Sequence, residues 1–541
     1  MTLRQNTFEV FTPIEGIHVD APSTIITARS SPHLENANAY YGIVQKDFGT
    51  SLYATGTIAS THSVIGAPIN LIFEANFPDS TVLQAFSHTR MYRYMPNIGT
   101  ATTADGFLID SIAYATGTFN DFWSACMHNE EMIYVNGKEV VQYKPTSTST
   151  GTGLVGASSY KAYALESYSN HLNLYRVYEG GIDCFKRVRW TKAGALAHTA
   201  SDWTTGYSGF VDVLDMEGGI MCQQKIAGGV DIYCENSVYL QQWVGGTGVY
   251  TFIKVINGKG VVSRRSVVSD GSVNYFLSWD NIYKHYGNTD YEPIGMAIKA
   301  DYLANMNRSA MAVAWLEYIK EDDELRVHIP TGTSTTCNTC YIYKVRDNAW
   351  YKVDDPYTAE GIHTRVSNIT IGDLVGNIGA QDWKFGDLFA LAGAAVNLYG
   401  DRSGRVVKRD KMVYSISESG TSAARSFIFE TKDFSAINEV DPLTKDRYNP
   451  SRYEDSESRY QKISVEMFGQ GTAALHYSCD EGSTWYSLGS TTLDSFWDLH
   501  EFDIDRADEE IRVRISNTGT NESIHVRYIS IDFVNGSQVN D

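Results

Sequence analysis

Seven short strand-like segments, each centred on an apolar residue followed by tyrosine, recur along the 541 residues and constrain the fold more than any other feature. They read Met91-Tyr92-Arg93-Tyr94, Ile133-Tyr134-Val135, Leu174-Tyr175-Arg176-Val177, Val238-Tyr239-Leu240, Ile282-Tyr283-Lys284, Ile342-Tyr343-Lys344 and Leu398-Tyr399-Gly400. Successive tyrosines stand 42, 41, 64, 44, 60 and 56 residues apart. A period of about 40–50 residues is that of a four-stranded meander, which cannot bury its own faces and must pack against further copies of itself. The reading is all-β: a β-propeller over residues 51–412 with about seven blades, six to eight being compatible with the spacing. The longer intervals would hold loop insertions.

The rest of the chain agrees in kind. The 35 Tyr, 22 Phe and 45 Gly, against 12 Pro, fit pleated half-buried surfaces joined by tight turns. Only Pro293–Asn307 has helical spacing, and it is weak, with Ile298, Tyr302 and Met306 four residues apart. The following apolar runs, Ala310–Tyr318 and Leu325–Ile329, read as a hairpin turned at the charged Lys320–Glu324. Residues 1–50, spaced out by Pro13, Pro22 and Pro32, read as an extended arm that packs along the propeller or closes its last blade. From residue 413 to 541 a C-terminal antiparallel β-sandwich is expected. Its evidence is apolar alternation at Ile463/Val465/Met467, Ala474/His476, Leu499/Glu501, Ile511/Val513/Ile515 and Ile524/Val526/Tyr528. Within it, residues 435–461 are polar and charged and read as an exposed loop suited to reaching a neighbour.

Charge and cysteine usage narrow the function. With 64 acidic and 44 basic side chains the chain carries −20, opposite to a protein that must neutralise phosphates. Met1–Asp20 lacks the apolar core of a signal peptide, and no run approaches the roughly 18 apolar residues of a membrane span. The expectation is a protein made in a cytoplasm without membrane insertion. Seven cysteines, an odd number spread along a long chain, do not form a secreted disulfide framework.

The motifs yield no catalytic, cofactor-binding or metal-ligating assignment. Cys337-Asn338-Thr339-Cys340 is a solitary CxxC, where a zinc site needs four ligands, and it reads as a turn with two thiols. Ser478-Cys479-Asp480-Glu481-Gly482-Ser483-Thr484-Trp485 has the SxDxGxTW pattern of an Asp-box hairpin, a structural turn repeated in sialidase propellers but present once here. Gly245-Gly246-Thr247-Gly248 lacks the Lys-Ser/Thr and the helix of a phosphate cradle. Asp322-Asp323 and Asp354-Asp355 read as solvated turns, and the basic pair Arg264-Arg265 is expected at an interface or paired with acids.

Three segments together resemble a known family. Asn236-Ser237-Val238-Tyr239-Leu240-Gln241-Gln242-Trp243-Val244-Gly245-Gly246, then Gly260-Val261-Val262-Ser263-Arg264-Arg265-Ser266-Val267-Val268, then Asn274–Gly287 ending at Glu292-Pro293-Ile294-Gly295, are similar to the tail nozzle, or packaged-DNA stabilisation (tail accessory), β-propeller proteins of short-tailed bacteriophages. Asp121-Phe122-Trp123-Ser124 and Thr339–Pro356 are similar to further blades of that family. The resemblance implies a structural virion protein and not an enzyme. It implies a homohexameric ring beneath the head-to-tail adaptor or portal, neighbouring tail fibre or spike proteins, sealing and conducting genomic DNA that passes without sequence-specific binding. The other class left open is a glycan-binding or glycan-cleaving, sialidase-like propeller on a host surface, with Trp203 and Tyr207 stacking on sugar.

Overall fold

The computed structural model describes residues 6–11, 15–40, 42–53, 67–95, 106–111, 113–114, 117–154, 160–364, 395–418, 420–435 and 458–535. The protein is all-β. Five antiparallel four-stranded meanders follow one another at residues 69–109, 124–153, 161–212, 220–257 and 267–293. The sixth spans 315–354 and is extended by the parallel pieces Gly16–Ile17 and Ser30–Ser31. The seventh uses Ala359–Thr364, Ala395–Gly400 and Val406–Asp410, and takes its fourth strand, Gly49–Leu52, from the N-terminal segment.

Each of the seven tyrosines lies in a different meander, at most 6% exposed. Tyr134, Tyr175 and Tyr399 occupy second strands, whereas Tyr92, Tyr239, Tyr283 and Tyr343 occupy third strands. That alternation between two positions, together with insertions, is why the spacing is uneven. Tyrosine suits the site because its ring fills the space between sheets while its hydroxyl finds a partner. Tyr175 donates to Gln241 Oε1 at 2.8 Å in the next meander, and Tyr399 donates to Glu317 Oε1 at 3.0 Å in the one before. Three hairpins turn on two residues that both have positive φ: Asn129-Glu130, Ser169-Asn170 and Gly180-Gly181. That backbone matches the right-handed strand twist. The first strands of meanders one to six pack in series, from one against two to five against six, and the first strand of the seventh packs against that of the first.

Residues 293–313 hold the helical spacing seen in the sequence as the short helix Lys299–Asn305, with Ile298, Tyr302 and Met306 all buried. The hairpin after it runs Trp315–Ile319 to Glu324–Ile329. Residues 310–313, expected to begin its first strand, belong instead to the 3₁₀ turn Arg308–Val313.

Two larger sheets come from the C-terminal part. One orders Asp498–Asp508, Ser458–Gly469, Ile524–Asn535, Ile43–Lys46 and Ala37–Tyr40, with Asn6–Phe11 also paired to Ile524–Asn535. The other orders Leu34–Glu35, Phe427–Glu430, Arg512–Asn517, Gly471–Ser478 and Tyr486–Leu493. Ile463, Val465, Met467, Ile511, Val513, Ile515, Ile524 and Val526 are buried in one apolar cluster, as their alternation predicts. Two strands turn the other way. Ala473 and Leu475 are buried instead of Ala474 and His476, and Leu499 and Glu501 are exposed while Ile504 is buried. A one-residue change of parity exchanges the two faces of a strand, and in each of these strands apolar residues occupy both parities. Past Val526 a register shift moves the buried face to Ile529, Ile531 and Phe533. Of the polar loop expected at 435–461, Ser435 is buried and 458–461 open the strand Ser458–Gly469; residues 436–457 lie outside the described residues.

The segment read as an arm at residues 1–50 is woven through both halves, supplying strands to the sixth and seventh meanders and to both C-terminal sheets. At its centre is Asp47, fully buried, with Arg326 and Arg425 each at 3.3 Å and Arg409 at 3.6 Å. Glu324, also fully buried, meets Arg326 at 3.0 Å and Arg409 at 3.3 Å, pairs with Lys344 and accepts from Tyr40 at 2.8 Å. The three guanidinium groups hold the Asp47 carboxyl below its ordinary range despite burial. Close approach fixes the segment as well: a Cβ on Gly49 would come within 1.9 Å of the Ser415 carbonyl oxygen.

Replacing Asp47 with Asn should therefore cost about 3–5 kcal/mol, the range for leaving buried charges without their partner. Urea unfolding of the two proteins at neutral pH measures it, and an unchanged midpoint would contradict the arrangement. Since Asp47 binds its proton less tightly folded than unfolded, its contribution is complete above the unfolded value of about 3.9 and fades as pH falls through the folded value. The gap between wild type and Asp47→Asn should accordingly narrow on acidification below that point.

Candidate functional site

The most unusual side chains lie where the first strands converge. Between the fourth and fifth meanders the chain passes so close to the Cys234 carbonyl that a Cβ on Gly260 would come within 2.2 Å of its oxygen. It then makes a tight turn, in which Ser263 N donates to Ser266 Oγ at 3.1 Å and Ser266 Oγ donates to Ser263 O at 2.8 Å. The turn projects Arg264 and Arg265. Arg264 donates to the carbonyls of Phe122, Asn136 and Tyr163 at 3.3–3.4 Å and stacks on the Tyr163 ring at 4.0 Å. Arg265 donates to the carbonyls of Thr358 at 2.7 Å, Val313 at 3.2 Å and Asn70 at 3.4 Å, and lies 3.8 Å over the Phe122 ring. Two consecutive residues thus tie together the starts of five other meanders. The expectation that this pair meets acids is corrected: its partners are backbone carbonyls and aromatic faces. Burial pulls both guanidinium groups down to about 10.

Beside them is a carboxyl pair. Glu317 is buried on the first strand of the sixth meander and Glu360, half-buried, is on the first strand of the seventh. Glu317 Oε1 receives Tyr399 at 3.0 Å and lies 3.2 Å from His328 Nε2, whose ring stacks on Trp315 at 3.6 Å and 4°. Glu360 hydrogen-bonds to Glu317, and burial followed by that neighbouring charge pushes its carboxyl well above the ordinary range. Burial and the neighbouring carboxyl group together favour the protonated form of Glu360.

His328, Cys340 and Asp355 bring ligand atoms within 4.8 Å of one another, all buried. They are the described residues best placed to hold a metal ion. However, Arg326 and Arg425 each stand 3.8 Å from Asp355 and already supply the positive charge a cation would bring. Asp355, expected in a solvated turn, is buried at this point, and burial raises its carboxyl. The CxxC does not act as a unit. Cys340 sits in the strand Thr339–Lys344 opposite His328, while Cys337 precedes it and its thiol contacts the carbonyls of Val313 and His328. Burial pushes the Cys337 thiol up to about 12, and Cys340 is raised also, so neither is a thiolate near neutral pH.

The remaining sequence motifs are local structure. In the Asp-box turn, Asp480 Oδ1 accepts from Thr484 N at 2.7 Å and from Ser478 Oγ at 2.7 Å, which lowers its carboxyl to about 2. Gly482 takes a φ of +86°, and Trp485 lies under the Arg514 guanidinium at 3.7 Å. Gly245–Gly248 is the short turn between the strands Ser237–Trp243 and Tyr250–Asn257. Trp203 is buried against Tyr160, whereas Tyr207 is exposed. Neither the Glu317–Glu360 pair nor the Asp47 cluster was singled out by sequence reasoning. Their members are far apart in the chain, and no local pattern marks them.

A prediction follows for the carboxyl pair. A folded value raised above the unfolded one makes a stabilising contribution that is lost as pH rises through the folded value. Glu360→Gln keeps a donor to Glu317 and cannot ionise. Its urea midpoint relative to wild type should climb as pH rises above the unfolded glutamate value of about 4.3. A difference that stays constant with pH would contradict protonation of Glu360.

The chain matches no protein-family model and no curated protein. Among solved structures, a carbohydrate-binding module of family 29 is similar at 9% identity and a TM-score of 0.14, over 20% of this chain and 60% of that one. The K85A mutant of the module CBM29-2 is similar at 10% identity and a TM-score of 0.14, over 25% and 74%. The computationally designed Ika8 protein is similar at 8% identity and a TM-score of 0.32, over 64% of this chain and 98% of that one.

Proposed function

We propose that the seven meanders form a seven-bladed β-propeller whose last blade is closed by Gly49–Leu52, that the two larger sheets form a C-terminal β-sandwich, and that the protein is a structural component of a bacteriophage tail. The order in which the first strands pack supports the propeller. The segments similar to tail nozzle proteins include the third strand of the fourth meander and the second and third strands of the fifth.

The observation that carries the functional reading is the contrast between interior and surface. The buried charged groups of the interior are engaged in joining sheets. The outside of the third and fourth meanders, by contrast, exposes Ile182 at 66% and Leu214 at 81%, with Phe185, Phe210, Trp243 and Val244. Several large apolar side chains left exposed along two consecutive meanders are more economically explained by assembly than by solvent exposure. In this reading six copies close a ring below the head-to-tail adaptor or portal, next to fibre or spike proteins, and conduct DNA without enzymatic chemistry or a cofactor. The charge of −20 per chain keeps the duplex from adhering to the passage. The burial of Trp203 counts against a glycan-binding or glycan-cleaving role, since that ring cannot stack on sugar.

Light scattering on the purified protein tests the assembly. The expected mass is six times the 60.2 kDa of the chain. The double substitution Ile182→Glu and Leu214→Glu should reduce it to that of a single chain, with folding stability unchanged to within about 0.5 kcal/mol. A wild-type monomer, or a variant that assembles as before, would contradict the reading.

A further inference from the structure

Among the described residues, the arginines that are buried as whole residues have counter-charges. The buried arginines Arg189, Arg326, Arg425 and Arg512 each lie within 4.0 Å of a carboxylate: Glu179, Asp47, Asp47 and Glu430 respectively. Arg264 and Arg265 differ. Among the described residues no carboxylate comes within 4.0 Å of either, and their polar partners are neutral carbonyls. All four hydrogen bonds of Arg264 are 3.3–3.4 Å long, beyond the usual upper length of about 3.2 Å for such bonds. The Nε of Arg264 and of Arg265 is buried without an acceptor, as it is in Arg189 and Arg425, which have a carboxylate beside them to offset it. Both side chains nevertheless keep part of their surface accessible. They are also neighbours: the Phe122 carbonyl accepts from Arg264, and the Phe122 ring lies 3.8 Å from Arg265.

The carboxyl groups that act on the pair, Asp121 on Arg264 and Glu360 on Arg265, do so only from beyond 4.0 Å, and burial raises the carboxyl of Glu360. Two positive charges therefore stand side by side in an enclosed place, that of Arg264 held by long hydrogen bonds, with no carboxylate of the described residues within 4.0 Å of either. Burying charge without a partner is strongly unfavourable. Carbonyl dipoles and the Tyr163 and Phe122 faces offset only part of that cost.

We propose that Arg264 and Arg265 form a binding site for one small inorganic anion, of the phosphate, sulfate or chloride class, where the first strands of the meanders converge. The anion supplies the missing counter-charge and the better acceptor for the Arg264 fork. Its role is to lock five meanders to the turn at residues 263–266, so occupancy and rigidity of the convergence point rise together. The site is independent of how copies of the chain assemble.

The full-length protein, dialysed exhaustively into a gluconate buffer, is titrated with sodium phosphate, sodium sulfate or sodium chloride at constant ionic strength. Isothermal calorimetry and thermal denaturation are the readouts. Binding of one anion per chain is expected, with a denaturation midpoint that rises and then levels off as the site fills. The three arms distinguish a tetrahedral oxyanion from a halide. Arg264→Lys keeps the charge but loses the planar fork, and should weaken binding roughly tenfold or more. If that variant does not fold, the stoichiometry and saturation measured on the wild type decide the matter. The proposal is overturned by three results: no saturable binding of any of the three anions, a midpoint that only climbs steadily with salt as general exclusion from apolar surface produces, or undiminished binding by Arg264→Lys.

Discussion

The ion cluster around Asp47 is the interaction on which the rest of the structure depends. One carboxylate, fully buried, is shared by Arg326 of the sixth meander, Arg409 of the seventh and Arg425 of the link to the C-terminal sheets. Asp47 lies between Ile43–Lys46, a strand of a C-terminal sheet, and Gly49–Leu52, the last strand of the seventh meander. The same short stretch of chain therefore crosses from one half to the other at the point where the charges converge. Buried ion pairs are weak evidence for net stability against an apolar alternative, but removing one partner from them is severe. Their value here is in specifying position, since an arginine of each surrounding element must find the same carboxylate for the cluster to be satisfied.

The convergence of the first strands poses the opposite electrostatic problem. There, Arg264 and Arg265 reach across to five meanders through backbone carbonyls, and burial raises the carboxyl of the nearby Glu360. Backbone acceptors hold a guanidinium in place whatever side chains surround it. This lets one turn register several sheets at once. Together the two clusters divide the work: Asp47 joins the halves of the protein, and the arginine pair joins the meanders to one another.

The all-β class was legible in the sequence because the tyrosine segments are local and repeated. Tyr134, Tyr175 and Tyr239 stand in consecutive meanders because ring burial and hydroxyl pairing impose the same demand in each. The strand that residues 49–52 add to the last meander was legible, but the weaving of residues 6–46 through the other sheets was not. Strands such as Ser30–Ser31 and Leu34–Glu35 are two residues long and have no periodicity to read. Nor was the Asp47 cluster, since Arg425 lies 378 residues away and no spacing rule connects such partners. Arg264-Arg265 stood out as a charge pair, but its partners were misjudged because backbone carbonyls leave no trace in side-chain identity. The parity errors at Ala474/His476 and Leu499/Glu501 arose where apolar residues occupy both faces, so that neighbouring sheets rather than the strand itself decide which face is inward.

The proposed assembly rests on the exposed apolar side chains of the third and fourth meanders, set against interior charges engaged in joining sheets. The most direct test is electron microscopy of the purified protein. The account predicts ring-shaped particles with sixfold averages, in which the side of each copy bearing Ile182 and Leu214 meets its neighbour around a lumen wide enough for a DNA duplex. Dispersed single copies with that side open to solvent would contradict it.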